Sequence, residues 1–464
     1  MSRVIENSMF REYDIRGRVS EEELNKDSIK LIARGFSTYL HNKGVESCVV
    51  GHDYRDISED FRIAFVKGLM ESGIDVIDIG LATTPMLYTA QHYYGSRGGA
   101  MITASHNPKG WSGLKLSSAL SSTLGPADIK ELLSIIEGGD FREGGGSYKR
   151  VQFYEHYRDE LFSKVDIGKL GKKKVVVNCG NGTASFFMPE LMREAGMEVI
   201  TINGEPDYNF PKYYPNPSVV EMMEETGRAV VENEADIGIA FDGDGDRLGV
   251  VDEKGNIVWA DRYIALLAKK VVEEMPGTTI VYDVTCSRVI KEVVEKAGGK
   301  AVMWKTGHSY IKKKLDELGG ALAGEMSGHI FFGKPYFYGF DDATFAALKV
   351  MELIKEKPLS DLVGGLPHYV ATPTMEAYCD DSLKYGVVEK IKDMFIKEGY
   401  DVIGVSGVRV EMENGWGLVR ASSNLPAIKM RFEAKDKESL EKIKKLFMEK
   451  VALFDEVGKE WKSG

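Results

Sequence analysis

The sequence predicts an α/β protein, with three related α/β units in series and a C-terminal α+β domain closing the chain. Two observations carry this. Three segments open with a short, continuous apolar run that ends in polar turn residues: CVVGHDYR (48–55), VVVNCGNG (175–182) and IVYDVTC (280–286). In each, a second apolar run and then a further strand lead into a distinctive polar loop. Continuous apolar runs alternating with helical spacing mark parallel strands buried on both faces. At 464 residues the chain has room for three or four domains of ordinary size.

In the first unit, FRIAFVKGLMESG (61–73) has helical spacing, IDVIDIG (74–80) reads as the second strand, and GAMITASHNP as a strand running into a loop. The second unit repeats this with MEVITI (197–202) and DIGIAFDGDGDR, the third with KAVMW (300–304) and GALAGEMSGH. These loops fall at strand C-terminal ends, where open α/β sheets gather ligands. In the last hundred residues, VIGVSGVRVEM (402–412) and AIKMRFEA (427–434) read as strands flanking a loop, GWGLVRASSNLP. An amphipathic helix from about Lys437 to Leu453 follows. The expected domains are 1–145, 146–255, 256–365 and 366–464, with GDFREGGGSYK (139–149) as the clearest Gly-rich connection.

Lys and Arg total 60 against 71 Asp and Glu, a net charge of −11. Nucleic acid and anionic membranes need a basic footprint, so neither is an expected partner. Cys48, Cys179, Cys286 and Cys379 are scattered without a Cys-x-x-Cys pair, as suits reduced thiols in a cytosolic protein. The N-terminal MSRVIENSMFREYDIRG lacks the apolar core of a signal peptide, and no apolar stretch reaches the ~18 residues of a membrane span. The expectation is a soluble, cytoplasmic protein.

Four loops carry chemistry. In DGDGDR, Asp242, Asp244 and Asp246 crowd three carboxylates after a buried strand, an arrangement that repels itself unless a cation joins it. Oxygen-only ligands point to Mg²⁺ or Ca²⁺. An EF-hand fails here, because Arg247 stands where the turn needs Gly and the flanks read as strands. A phosphatase with Asp242 as nucleophile is a rival, weakened by the third Asp and the Arg that follow. TASHNP offers Ser105, a weak nucleophile until a base or metal activates it, and sequence adjacency argues that His106 points elsewhere. GEMSGH places Glu325, Ser327 and His329 on a tight turn suited to sugar hydroxyls. RASSNLP combines Arg420 with Ser422, Ser423 and Asn424, an inventory that fits a phosphate dianion.

These four loops, in this order and spanning FREYDIRG (10–17) to RASSNLP, resemble the α-D-phosphohexomutase superfamily and within it the phosphomannomutase/phosphoglucomutase group. The resemblance implies three related α/β domains with mixed sheets and a C-terminal α+β domain around a central cleft. It implies Mg²⁺ held by Asp242, Asp244, Asp246 and phosphorylated Ser105. A hexose 1,6-bisphosphate serves as intermediate and activator, and the partners are hexose phosphates, in a monomer or a dimer. Catalytic roles fall to Ser105, Lys115, His329 and Arg247. Tyr13, Arg16, His308, Glu325, Ser327, His329, Arg420, Ser422, Ser423 and Asn424 match substrate-binding positions. The implied reaction moves a phosphoryl group between C1 and C6 of glucose or mannose; a phosphoglucosamine mutase and a non-catalytic sugar-phosphate sensor are the alternatives. Three departures stand out: Thr285 where Lys is common, Ser423-Asn424 closing the last loop, and His52 in GHDYR.

Overall fold

A computed structural model of the chain describes residues 5–422 and 425–463. Three parallel cores recur. Strands Ser47–His52, Asp75–Leu81 and Gly98–Ile102 pair in parallel, as do Lys174–Asn178, Glu198–Ile202 and Ile237–Phe241, and again Thr279–Asp283, Lys300–Trp304 and Leu322–Gly324. One antiparallel strand extends each core: Trp111–Ala119, Leu248–Val251 and Ile330–Phe332. The sheets are therefore mixed. Each polar loop is the turn between the last parallel strand and that antiparallel return, so each site motif sits at a strand C-terminal end.

The helices form where apolar residues recur on one face and polar residues close the ends. Lys26–Asn42 buries Ile29, Ile32, Phe36 and Leu40, while Asn25 caps its first turn by accepting from the Ser28 N–H at 3.1 Å. One contiguous apolar core runs through all three units, joining Met86 and Leu87 to Leu191 and Ile239 and on to Ile264 and Phe345. The C-terminal domain has a separate core around Phe395, Phe432 and Phe447. No helix among the described residues is long and apolar enough to cross a membrane. All four cysteines are buried and free.

The structure differs from the sequence reading in three places. Tyr148–Arg150 pairs in parallel with Asp75–Leu81, so the chain rejoins the first sheet beyond residue 145 and inside the Gly-rich stretch. The expected strand 402–412 is two strands, Asp401–Ile403 and Val408–Met412. GWGLVRA is no loop: Gly415–Ala421 is a strand paired on both sides, to Val408–Met412 and Ala427–Ala434. The reason is steric, since a Cβ at Gly417 would lie 2.3 Å from the Phe447 ring that packs over it. The helix Lys384–Lys397 completes this domain.

Candidate active site

Ser105 opens the site. It is 1% exposed and adopts a left-handed backbone, φ +49°, uncommon for a residue with a side chain. Its N–H donates to Thr103 Oγ1 at 2.8 Å, and its hydroxyl donates to Asp242 Oδ2 at 2.7 Å. His106 Nδ1 lies 3.1 Å from the same hydroxyl, contrary to the expectation that it turns away. The left-handed turn at Ser105 brings the two consecutive side chains to one side. Burial, then the Arg247 and Arg16 charges, hold the His106 pKa well below the ordinary range, so the ring is neutral.

The acidic loop meets the serine loop at van der Waals distance. A Cβ at Gly243 would sit 2.2 Å from the Ser105 carbonyl oxygen, which fixes glycine there. Asp242, Asp244 and Asp246 are all fully buried. Asp242 Oδ1 accepts the N–H groups of Asp246 (3.0 Å) and Arg247 (3.1 Å). Asp244 Oδ2 accepts from Thr84 Oγ1 (2.6 Å), Lys115 Nζ (2.7 Å) and Thr103 Oγ1 (3.1 Å). Lys115 Nζ also donates to Asp246 Oδ2. Burial opposes the Lys115 ammonium, but the Asp244 and Asp246 charges outweigh it and raise its pKa. The same exchange splits the acids. Burial, with the neighbouring Asp246 and Asp244 charges, pushes Asp242 up; burial also works on Asp244, but Lys115 and Thr84 bring it down.

Carboxylate oxygens from the three acids lie within 4.8 Å of one another. Asp244 Oδ1 and Asp246 Oδ1 are buried without a hydrogen-bond partner among the described residues. Unpaired carboxylate oxygens in the interior are costly, and an oxygen-only set of this size suits a hard divalent cation. The acidic triad can hold a metal ion.

The third unit adds the remaining groups. Arg247 and His329 form a backbone bridge between the acidic loop and GEMSGH. Arg247 Nε donates to His329 Nε2 at 3.0 Å, which leaves the ring proton on Nδ1, 3.0 Å from Asp341 Oδ2. Lys312 Nζ is 3.2 Å from the other oxygen of Asp341. Glu325 Oε1 accepts the Gly307 N–H at 2.5 Å, and burial together with nearby Asp283 pushes Glu325 up to about 7 despite His329. Tyr13 packs edge-on to His308, with centroids 5.0 Å apart, and His308 stacks against His329 at 5.6 Å. Arg16 donates to Asn107 Oδ1 at 2.7 Å, which ties the N-terminal segment to the serine loop. Ser327 is half-buried on the turn itself.

Arg420 is half-buried near the end of Gly415–Ala421, and Ser422 is buried with its N–H on the Ala427 carbonyl at 2.9 Å. Ser423 and Asn424 lie outside the described residues. Thr285 turns its hydroxyl to Asp283 Oδ2 at 2.8 Å. His52 is engaged with the Asp53 carbonyl at 2.9 Å, away from the serine. Sequence reasoning did not reach Thr84, Asp341 or Lys312, whose partners are distant in the chain and leave no local signature.

Family models match almost the whole chain. They are described as phosphoglucomutase/phosphomannomutase alpha/beta/alpha domain I (residues 7–143), domain II (155–255), domain III (259–369) and the C-terminal domain (379–450). The chain is 39% identical to a phosphomannomutase/phosphoglucomutase of Pseudomonas putida over 95% of both chains. It is 35% identical to a phosphoglucomutase of Neisseria gonorrhoeae over 96% of both. Among solved structures, a phosphoglucomutase/phosphomannomutase family protein from Burkholderia thailandensis superposes with a TM-score of 0.89 at 34% identity, covering 97% of this chain and 98% of the other.

Proposed function

The chain belongs to the phosphoglucomutase/phosphomannomutase family, and from that premise we propose that it interconverts the 1-phosphates and 6-phosphates of glucose and mannose through a phosphoryl group carried on Ser105. One observation carries this reading above the others: the Ser105 hydroxyl lies 2.7 Å from a buried carboxylate of an acidic triad that still has unpaired oxygens.

Phosphoryl transfer passes through a loose transition state, so catalysis comes from positioning and charge neutralisation. Asp242, Asp244 and Asp246 would hold Mg²⁺ together with an oxygen of phosphorylated Ser105; when bound, the ion neutralises charge on the transferred group. Phosphoserine 105 donates its phosphoryl group to the free C1 or C6 hydroxyl of a hexose monophosphate, forming the 1,6-bisphosphate. The sugar then reorients, and its other phosphate returns to the serine. His106 Nδ1, 3.1 Å from the serine oxygen, is the group positioned to exchange the serine proton as that oxygen gains and loses the phosphoryl group. On the substrate side His329, whose Nε2 carries a lone pair, takes the proton of the attacking sugar hydroxyl. Lys115, kept as an ammonium by two carboxylates, is the counter-charge and returns a proton to the sugar oxygen released in the second half. Arg247, fixed against His329, faces the same centre.

Glu325 and Ser327 serve the 3- and 4-hydroxyls, which remain usable in either orientation of the sugar. Arg420 and Ser422, with Ser423 and Asn424, serve the spectator phosphate, while Tyr13, Arg16 and His308 line the substrate path. The rival phosphatase needs a free oxygen on Asp242, yet both are engaged, one by two backbone N–H groups and the other by Ser105.

The test is a coupled mutase assay on glucose 1-phosphate and mannose 1-phosphate with Mg²⁺ and catalytic glucose 1,6-bisphosphate. Turnover of both sugars is expected, falling at least about 10⁴-fold in Ser105→Ala. Undiminished activity in that variant sinks the phosphoserine mechanism. Turnover of glucosamine phosphate alone transfers the assignment to that sugar, and tight ligand binding without any turnover favours the sensor.

A further inference from the structure

Two residues outside the reacting set hold the serine loop from behind. The strand Ser47–His52 ends beside that loop, and the chain continues into Asp53 and Arg55, 1% and 8% exposed. The Arg55 guanidinium is spent almost wholly on loop carbonyls. Nη2 donates to Ser105 O at 2.7 Å and Asn107 O at 2.8 Å, and Nη1 to Pro108 O at 3.2 Å and Trp111 O at 3.5 Å. Asp53 works in the opposite sense: its Oδ2 accepts the Ala104 N–H at 3.2 Å and the Arg55 Nε–H at 3.3 Å, and its Oδ1 is fixed by Ser58 Oγ at 2.6 Å. Phe210 of the second unit packs its ring 5.3 Å from the guanidinium carbon.

Backbone carbonyls facing one way around a single buried cation do not arise from a relaxed turn. The residue at the centre is Ser105, in the left-handed region that non-glycine residues avoid, so neighbours must over-determine that conformation for it to persist. Neither side chain hydrogen-bonds the serine hydroxyl, whose partners are Asp242 and His106. Local propensity would relax the loop, and a buried salt bridge with five contacts to the loop and the strand after it opposes that.

We propose that Asp53 and Arg55 are positioning residues that clamp the Ser105 loop in its left-handed turn and so aim the hydroxyl at the acidic triad. The consequence for phosphoryl transfer rests on the function proposed above; the clamp itself does not. Lysine at position 55 keeps the charge but cannot span several carbonyls with a planar fork. A misplacement of about 1 Å at a reacting atom costs on the order of 10²-fold in rate.

The experiment compares wild type, Arg55→Lys and Asp53→Asn in the full-length protein with Mg²⁺. Two readouts are taken: the rate of Ser105 phosphorylation by glucose 1,6-bisphosphate, from intact mass, and amide hydrogen exchange of residues 104–107. Arg55→Lys is expected to slow phosphorylation and kcat together by about 10²-fold, with KM little changed, and to speed exchange in the loop. Asp53→Asn, which keeps an acceptor for the Ala104 N–H, is expected to show the same changes more weakly. Wild-type rates and wild-type loop exchange in a folded Arg55→Lys protein overturn the proposal. If Arg55→Lys does not fold, Asp53→Asn decides by the same two criteria. If the wild type takes no phosphoryl group at Ser105, the proposed function fails, and loop exchange alone decides whether the clamp exists.

Discussion

The first three units and the C-terminal domain are joined by different means. The three units share one apolar core, and the serine loop, the acidic loop and GEMSGH meet through direct hydrogen bonds and a backbone bridge. The C-terminal domain meets the third unit mainly through arginines. Arg409 donates to the carbonyls of Val284 and Cys286, each at 2.7 Å; Arg431 to that of Thr285 at 2.6 Å; and Arg288 pairs with Glu411 at 2.6 Å. Among the described residues, Val284, Trp416 and Leu418 form a small apolar cluster between them, with Met303 and Val405 packed against it. The ligand groups follow the same division. Ser105 is held on every side, whereas Arg420 makes no side-chain hydrogen bond or ion pair among the described residues. On the proposed function, the chemistry is housed where the scaffold is stiff, and the spectator anion would be met by an arginine not yet committed to a described partner.

The strongest way to break this contrast is to remove the cation inside the stiff block. Lys115→Met leaves Asp244 and Asp246 facing one another without an ammonium, and is expected to lower the unfolding free energy by about 3 kcal/mol or more in metal-free urea titrations. Added Mg²⁺ should stabilise this variant more than the wild type. Equal stability without metal would show that the lysine is not the counter-charge of the site.

A buried acid without a cation gives the next test. Burial pushes Asp342 up to about 7, while it caps the helix Ala343–Leu353 at the Phe345 N–H and takes the Tyr157 hydroxyl at 3.0 Å. Its unfolded pKa is about 4, so the folded state holds the extra proton in between. The stabilisation is full below about pH 4 and is lost as pH rises through about 7, at most about 4 kcal/mol. Asp342→Asn keeps the cap and removes the proton. Unfolding free energies of the wild type at pH 5 and pH 8 should differ more than those of the variant; parallel profiles would remove Asp342 as the cause.

The smallest effect is expected at the open end of the comparison. Arg420→Lys keeps the charge and loses the paired donors, so KM for hexose phosphate should rise about tenfold with kcat nearly unchanged. The melting temperature should not move, since no described partner is lost. A large drop in kcat would mean that Arg420 acts at the reacting end.

What was legible in the sequence follows the same division. DGDGDR, TASHNP and GEMSGH are local: glycines in the first and third permit close approach, and the alternate Asp spacing of DGDGDR signals crowded ligands, while TASHNP gains its meaning only beside the other two. Their placement at strand ends follows from the apolar runs before them. His106 was misjudged because the direction of its side chain depends on the φ of Ser105, which no sequence pattern states. Gly415–Ala421 reads as a loop because its glycines suppress strand propensity, while their cause lies later in the chain: the Phe447 ring over Gly417 and the Glu433 carbonyl against Gly415. Arg55 had a weak local signal, an Asp-x-Arg just past a buried strand, but its role is written in carbonyls some fifty residues downstream.

The contact between Ser105 and Asp242 spans 137 positions of the chain. At ribosomal speeds of 5–20 residues per second, the serine is made about 7–27 s before its carboxylate partner. On the mechanism proposed above, the growing polypeptide thus carries the hydroxyl without its acidic triad, and the means of transferring phosphate come into being only once the second unit docks. Reactivity is then a property of the finished assembly, and a nascent or truncated fragment would not consume sugar phosphates ahead of time.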